Sequence, residues 1–390
     1  MEEAGKVLAD TYFRQPVVFV KGDGMTLWDD TGKSYLDFVA GVAVCILGHS
    51  HPAVAEALNR QARELVHVSN LFFTEPQVKL ARWLTDRSFA DRAFFCNSGA
   101  EANEAAIKLT RIYQKSIGQT DRYRIITAQK SFHGRTLTTL SATGQEKIHK
   151  GFEPLVDGFD YVPYNDLSAA EGAVGPKTAG IMMEPVQGEG GVVVPDKGYL
   201  AGLREICDRR GLLLIYDEVQ TGMGRTGPLF GYMRENVPPD IMTLAKGLGN
   251  GLPVGAMLAT EKAMAAFTPG THASTFGGTP LVCAAALAVC KTLEKEGVLE
   301  KAQMVSAYFI ERLKALAEKH DVADEVRGRG LLLGLKLKKD AGALVGAMRE
   351  KGYLVNCTQG DVLRFIPPLI VQKEHVDLMI ETLDGLLAEF

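Results

Sequence analysis

The sequence predicts an α/β protein: a large unit built on a mostly parallel, buried sheet, followed by a smaller α+β unit. Two observations carry this expectation. Up to about residue 250, short apolar runs (AFFC, YRIITAQ, GIMMEPV, LLLIY, IMTLA) alternate with helical patterns such as EANEAAIKLTRIYQ and YLAGLREICDRRG. Such alternation builds a parallel sheet covered by helices. From about residue 290 the pattern changes to long amphipathic helices, the short strands GLLLGLKL, YLVNC and VLRFIPPL, and a closing helix HVDLMIETLDGLLAEF. With 390 residues the chain exceeds one ordinary domain. The expected division is an arm over 1–50, a large unit over 51–285 and a small unit over 286–390.

The first 45 residues open with a short helical pattern, after which VVFVKGDGMTLWDDTGKSYLDF sets hydrophobic runs around Gly and Asp turns. That is a small β-meander, too small to stand alone. In GHSHPAVAEALNRQARELVHVS, Pro52 marks a helix start and apolar residues keep helical spacing through Leu65. His49 and His51 could ligate a metal, but no third ligand lies at suitable spacing, and loop histidines are the simpler reading.

DRAFFCNSGAEANEAAIKLTRIYQ joins a strand to a strong helix through Asn97, Ser98, Gly99 and Ala100. Small residues at a helix N-terminus leave N–H groups free at the positive end of the helix dipole, which suits a phosphate. An ordinary capped junction has the same sequence signature. The loop is neither G-x-x-x-x-G-K-[ST] nor G-x-G-x-x-G, which argues against an NTPase or a dinucleotide enzyme. In SFHGRTLTTLSATG, Phe132 and His133 offer aromatic faces for a flat ring and Arg135 a planar fork for a carboxylate; alone, the string is also a turn with a surface arginine. Glu184 and Glu189 surround a glycine-rich turn, free to pair with a distant arginine or to stay solvated. Thr275, in the polar loop THASTFGGTP, is a candidate phosphate ligand or a turn residue, and Arg364 lies on a late strand.

Two strand ends carry the chemistry. LLLIY leads to Asp217 and Glu218, and IMTLA leads to Lys246, which precedes the small-residue run GLGNGLPVGA. Strand ends are where open α/β sheets build sites. With no acidic residue nearby in sequence, burial lowers the lysine's pKa and leaves a nucleophilic amine. Pyridoxal phosphate needs such a pair: a lysine to hold it as a Schiff base and a carboxylate to keep its pyridine nitrogen protonated. Alternatively, Lys246 reaches solvent from its strand end and the two acids cap a helix.

Composition narrows the partners. A net charge of −4 and an isoelectric point near 6.1 give no reason to expect nucleic acid or an anionic membrane. The six scattered cysteines contain no C-x-x-C pair and read as reduced core residues in the cytoplasm. The N-terminus lacks the features of a signal peptide, and no run approaches 18 apolar residues.

The ordered set NSGAEANEAAIKL, SFHGRT, EPVQGEGG, DEVQTGMGRTG, LAKGLGNGLPVGA, STFGGTP and VLRFIPPL spans nearly the whole chain. It resembles the class III, ornithine-type aminotransferases of the fold type I pyridoxal phosphate enzymes. The resemblance implies a seven-stranded, mostly parallel sheet with a smaller α+β domain, pyridoxal 5′-phosphate as cofactor, no metal, and a homodimer with active sites at the subunit interface. It implies that Lys246 forms the aldimine and shuttles the proton, that Asp217 pairs with the pyridine N–H, and that Gln220 bonds the phenolic oxygen. By the same resemblance, Ser98, Gly99 and Ala100 hold the phosphate, Phe132 stacks on the ring and Thr275 reaches the neighbouring subunit's phosphate. Arg135 would bind the substrate α-carboxylate and Ser274 would contact substrate. Arg364, with Glu189 as a switchable partner, would serve the 2-oxoglutarate half-reaction.

Within the family, the chain length, SNLFFTEPQ and NCTQGDVLRFIPPL most resemble members that act in arginine biosynthesis. Those members move the δ-amino group of N2-acetyl-L-ornithine to 2-oxoglutarate, giving N-acetyl-L-glutamate 5-semialdehyde and L-glutamate by a ping-pong route. Members acting on 4-aminobutyrate, ornithine, succinylornithine or N-acyl-diaminopimelate share most of these motifs. Cys45 stands near a position that is commonly polar in the family, and Phe72 and Phe73 stand where tyrosines are common. Both segments are expected to line the substrate entrance.

Overall fold

The computed structural model describes all 390 residues. Near the N-terminus, β1 (Phe19–Asp23), β2 (Thr26–Asp29) and β3 (Ser34–Asp37) form the expected antiparallel meander. The central sheet comprises β4 (Arg92–Cys96), β5 (Arg124–Ala128), β6 (Phe159–Val162), β7 (Thr178–Met183), β8 (Leu213–Asp217), β9 (Ile241–Leu244) and β10 (Gly255–Ala259). Its seven strands run in the order β4-β10-β9-β8-β7-β5-β6. Every residue of β7, β8, β9 and β10 is buried, which is why these segments read as unbroken apolar runs.

One strand departs from the parallel rule. β10 runs antiparallel to both neighbours, β4 and β9, while β5 to β9 pair in parallel. The small-residue run GLGNGLPVGA after Lys246 takes in only Gly255 and Ala256 of this strand.

The C-terminal segment adds β11 (Ala323–Arg329), β12 (Leu332–Leu337), β13 (Tyr353–Leu354), β14 (Asn356–Thr358) and β15 (Val362–Phe365). Four of these form an antiparallel sheet in the order β11-β12-β15-β14. β13 instead pairs in parallel with β3, with Leu36 opposite Tyr353 and Asp37 opposite Leu354, so a late strand completes the N-terminal meander. The junction is braced by Asp37, whose Oδ1 accepts from the Val39 and Ala40 N–H groups and whose Oδ2 meets His49 Nε2 at 2.8 Å. That hydrogen bond raises the His49 pKa to about 9. His49 is thus an ion-pair residue, and His51 accepts from Ala53 N–H at the start of the Pro52–Glu64 helix.

The Pro280–Lys295 helix packs on the helices Pro52–Glu64 and Glu75–Thr85. Residue 286 lies within it, and Glu296 and Gly297 separate it from the Val298–Lys319 helix. No helix is long and apolar enough to cross a membrane.

Candidate active site

Strand geometry delivers the ionisable groups to one place. Asp217 ends β8, and Lys246 follows β9 after a single residue; these neighbouring parallel strands finish at the same edge of the sheet. Both side chains line a cavity of about 350 Å³. Also lining it are Ser98, Gly99 and Ala100 from the start of the Gly99–Ser116 helix, Phe132, Glu184, Glu189 and Gln220.

Burial lowers the Lys246 pKa, partly opposed by the nearby Glu189 carboxylate, and the amine makes no salt bridge. Its backbone sits at φ +42°, in the left-handed region. Asp217 is 3% exposed. Its Oδ2 accepts from Asn103 Nδ2 at 2.8 Å and meets His133 Nδ1 at 2.7 Å, and its Oδ1 accepts from Val219 N–H at 3.0 Å. The carboxylate partner assigns the proton to His133 Nδ1. Asn103 is itself anchored, accepting at Oδ1 from Thr243 Oγ1 at 2.7 Å. His133, expected as an aromatic face, therefore serves as a hydrogen-bond partner of Asp217.

At the helix start, Ser98 Oγ accepts from Glu101 N–H while the Glu101 carboxylate accepts from Asn97 N–H. Two donors at the N-terminus are satisfied, and the first-turn N–H groups of Gly99 and Ala100 have no partner within the helix. A Cβ on Gly99 would stand 2.7 Å from a Val219 methyl, so only glycine lets the helix approach this closely.

A second charged group closes one side. Arg364 Nη1 donates to Glu189 Oε1 at 2.7 Å and to Gln220 Oε1 at 3.3 Å, and its Nε donates to Asn356 Oδ1 at 3.2 Å. Gln220 Nε2 also donates to Glu189, so the amide bridges the ion pair. Burial alone would raise the Glu189 pKa; Arg364 and Lys246 outweigh it and hold the carboxyl below its ordinary value. Glu184 behaves oppositely. Its burial, reinforced by Asp217, pushes its pKa well above the usual carboxylate value. Its two oxygens accept from Phe132 N–H at 3.3 Å and Gly188 N–H at 3.4 Å. Glu218 turns away, accepting from Gly231 N–H, Tyr232 N–H and Thr221 Oγ1.

The remaining sequence candidates do not themselves line this cavity in the single chain. Arg135 is exposed, with its guanidinium 5.7 Å from the Phe132 ring centroid. Thr275 is exposed outside the cavity, and Ser274 Oγ accepts from Gly277 N–H and Asn97 Nδ2. Val44, not Cys45, lines the cavity, and Phe72 and Phe73 stand on the surface. Sequence reasoning passed over Asn103, although an amide in the middle of an otherwise apolar helix face was a readable signal.

Comparison with known proteins agrees with this geometry. The family model described as aminotransferase class-III matches residues 8–387. The acetylornithine aminotransferase of Caldanaerobacter subterraneus subsp. tengcongensis is 53% identical over 98% of this chain and 98% of its own. That of Methanocaldococcus jannaschii is 51% identical, covering 97% and 95%. Among solved structures, the ornithine aminotransferase of Toxoplasma gondii superposes with a TM-score of 0.96 at 35% identity, covering 100% of this chain and 94% of that one. The N-acetylornithine aminotransferase of Stenotrophomonas maltophilia gives 0.85 at 38% identity, covering 97% of each chain. With nearly its whole length matched and its ionisable residues gathered at one sheet edge, this chain belongs to the class III aminotransferases.

Proposed function

We propose that this chain transfers the δ-amino group of N2-acetyl-L-ornithine to 2-oxoglutarate, giving N-acetyl-L-glutamate 5-semialdehyde and L-glutamate, with pyridoxal 5′-phosphate as cofactor. The observation that carries the reading is the shared cavity: a buried, unpaired Lys246 amine and the Asp217 carboxylate, closed by the Glu189–Arg364 pair. Acetylornithine aminotransferases about half identical over nearly the full chain support this donor.

The residues fit the cofactor. A volume of about 350 Å³ suits a small organic group, and the cradle at Gly99 excludes a Cβ. Ser98, Gly99 and Ala100 would hold the phosphate at the helix N-terminus. Asp217 would hold the pyridine N–H, Gln220 the phenolic oxygen, and Phe132 would cover a ring face. When bound, the cofactor supplies an electrophilic carbonyl carbon and an electron sink.

The protein's own groups do the rest. Lys246 Nζ, whose pKa burial lowers, would carry the proton between the carbon bearing the donor's amine and the cofactor, completing the transfer within each half-reaction and running it in opposite directions in the two halves. Arg135 binds the donor's α-carboxylate, and Ser274 contacts substrate. While Glu189 occupies Arg364, the wall facing the acetamido donor carries no net charge; when Glu189 leaves, Arg364 is free to grip a carboxylate of 2-oxoglutarate. We also propose that the enzyme works in the cytoplasm as a homodimer, with Thr275 completing the partner's phosphate site. The arm packs with the C-terminal unit as a small domain.

The test is a donor comparison on the purified, cofactor-loaded protein. N-acetylornithine, without any keto acid, should convert the cofactor's absorption band to that of the amine form. Its kcat/KM should exceed those of ornithine and 4-aminobutyrate by at least about tenfold. A band that ignores N-acetylornithine but responds to either rival donor would overturn the substrate and keep the chemistry.

A further inference from the structure

The turn joining β14 to β15 holds a residue whose backbone conformation does not suit it. Gln359 and Gly360 take φ of +56° and +85°. Glycine adopts this left-handed region freely, and asparagine and aspartate tolerate it; glutamine has neither advantage. Such outliers persist where the surroundings impose them, and they point to function.

The surroundings here are the Glu189 loop. Gln187 and Val193 exchange two backbone hydrogen bonds of 3.0 Å, closing a tip of residues 188–192 that contains three glycines. A tip so rich in glycine has little stiffness of its own. The β14–β15 hairpin supplies it from outside. Arg364 Nη1 donates to Glu189 Oε1 at 2.7 Å, and Gln359 Nε2 donates to the Glu189 backbone carbonyl at 2.6 Å. Asn356, opposite Arg364 in the hairpin, holds the guanidinium at Nε. Glu189 is therefore gripped at its side chain and at its backbone by the same hairpin.

We propose that Gln359 is a positioning residue that latches the Glu189 carbonyl and so biases the site toward the paired state, favouring the amino donor over the dicarboxylate acceptor. The proposal rests on the reading of Glu189 and Arg364 as a movable pair. Releasing Arg364 requires Glu189 to withdraw, and the latch holds the residue that must withdraw. Gln359 is exposed, so replacing it leaves the core intact.

Two variants separate the latch from the backbone strain. Gln359→Met keeps the length and the strained φ but cannot donate; Gln359→Gly removes both the donor and the strain. The readout is calorimetric binding of glutarate, an unreactive dicarboxylate, to the cofactor-loaded protein, alongside KM for each substrate. Both variants should bind glutarate about two- to tenfold more tightly, the span of one net hydrogen bond, and both should raise the donor KM. In a Glu189→Gln background, which has no charge pair to bias, the effect should fall below about twofold. Unchanged glutarate affinity in both variants, or an equal change in the Glu189→Gln background, overturns the latch while leaving the pair intact. Wild-type glutarate binding that is indifferent to Arg364→Ala overturns the movable pair, and the latch with it.

Discussion

Lys246 combines two costs: a left-handed backbone at φ +42° and a buried amine. The first is on the order of 1–2 kcal/mol for a non-glycine residue, and the sheet end imposes both. Lys246→Arg keeps a long cation but removes the titrating nucleophile. Turnover should fall by about 10³-fold or more, with the melting temperature nearly unchanged; a variant keeping a tenth of the activity would strip Lys246 of its role. Because burial lowers the pKa below 10.5, the neutral amine gains population at lower pH than a free lysine would allow. Glu184 makes the opposite linkage. Its folded pKa lies above 4.5, so over the intervening pH range the native state keeps a proton that the unfolded chain has lost. Stability then declines as pH rises through that window. Glu184→Gln cannot titrate, and urea unfolding at about pH 5 and 8 should show its stability relative to wild type rising with pH; parallel profiles would refute a protonated Glu184. Lys246 and Asp217 were legible because each ends an apolar strand. Glu184 was not, since its environment comes from Phe132, 52 residues away, and from the fold around Asp217.

At the scale of elements, the Gly99–Ser116 helix shows how one terminus can serve stability and binding together. Ser98 Oγ caps Glu101 N–H while neighbouring donors face the cavity. Ser98→Ala should cost about 1 kcal/mol of stability through the lost cap. Ser98→Asp keeps a capping oxygen but adds a negative charge beside the proposed phosphate position. It should unfold like wild type in denaturant yet release pyridoxal phosphate faster than Ser98→Ala; the reverse order of cofactor retention would argue against a phosphate there. The helix start was legible, because S-G-A-E is a capping sequence whatever it binds. β10 was not, because GAMLA follows a loop of small residues with no periodic break, and its direction depends on pairing with β4 and β9. Arg225 in DEVQTGMGRTG was equally unreadable. Its Nη1 donates to the Leu331 and Pro367 carbonyls, and burial without a counter-ion pulls its pKa down to about 9. Only the docking of the C-terminal segment makes that position interior.

For the whole molecule, the single chain leaves a contiguous apolar face that a soluble monomer rarely shows. Leu71 is 86% and Phe73 97% exposed, with Phe72 beside them. The segment is tied to the 274–277 loop, because Asn70 Nδ2 donates to the Ser274 and Gly277 carbonyls and the His67 and Phe276 rings lie 5.4 Å apart. Thr275, assigned by resemblance to the partner's phosphate, is exposed in that same loop and does not line its own chain's cavity. A second copy covering the patch would bury several aromatic side chains, each worth about 1.5–3 kcal/mol, and bring Thr275 to a neighbouring site. Sedimentation should therefore give a particle of twice the 42.3 kDa chain mass. Phe73→Asp puts a charge where that face must be dry, and should shift the protein toward monomer. Cofactor retention should fall in step, while Lys246 and Asp217 remain in place. A monomeric Phe73→Asp that holds pyridoxal phosphate as tightly as wild type would mean that each chain completes its own site, and Thr275 would lose its assigned role.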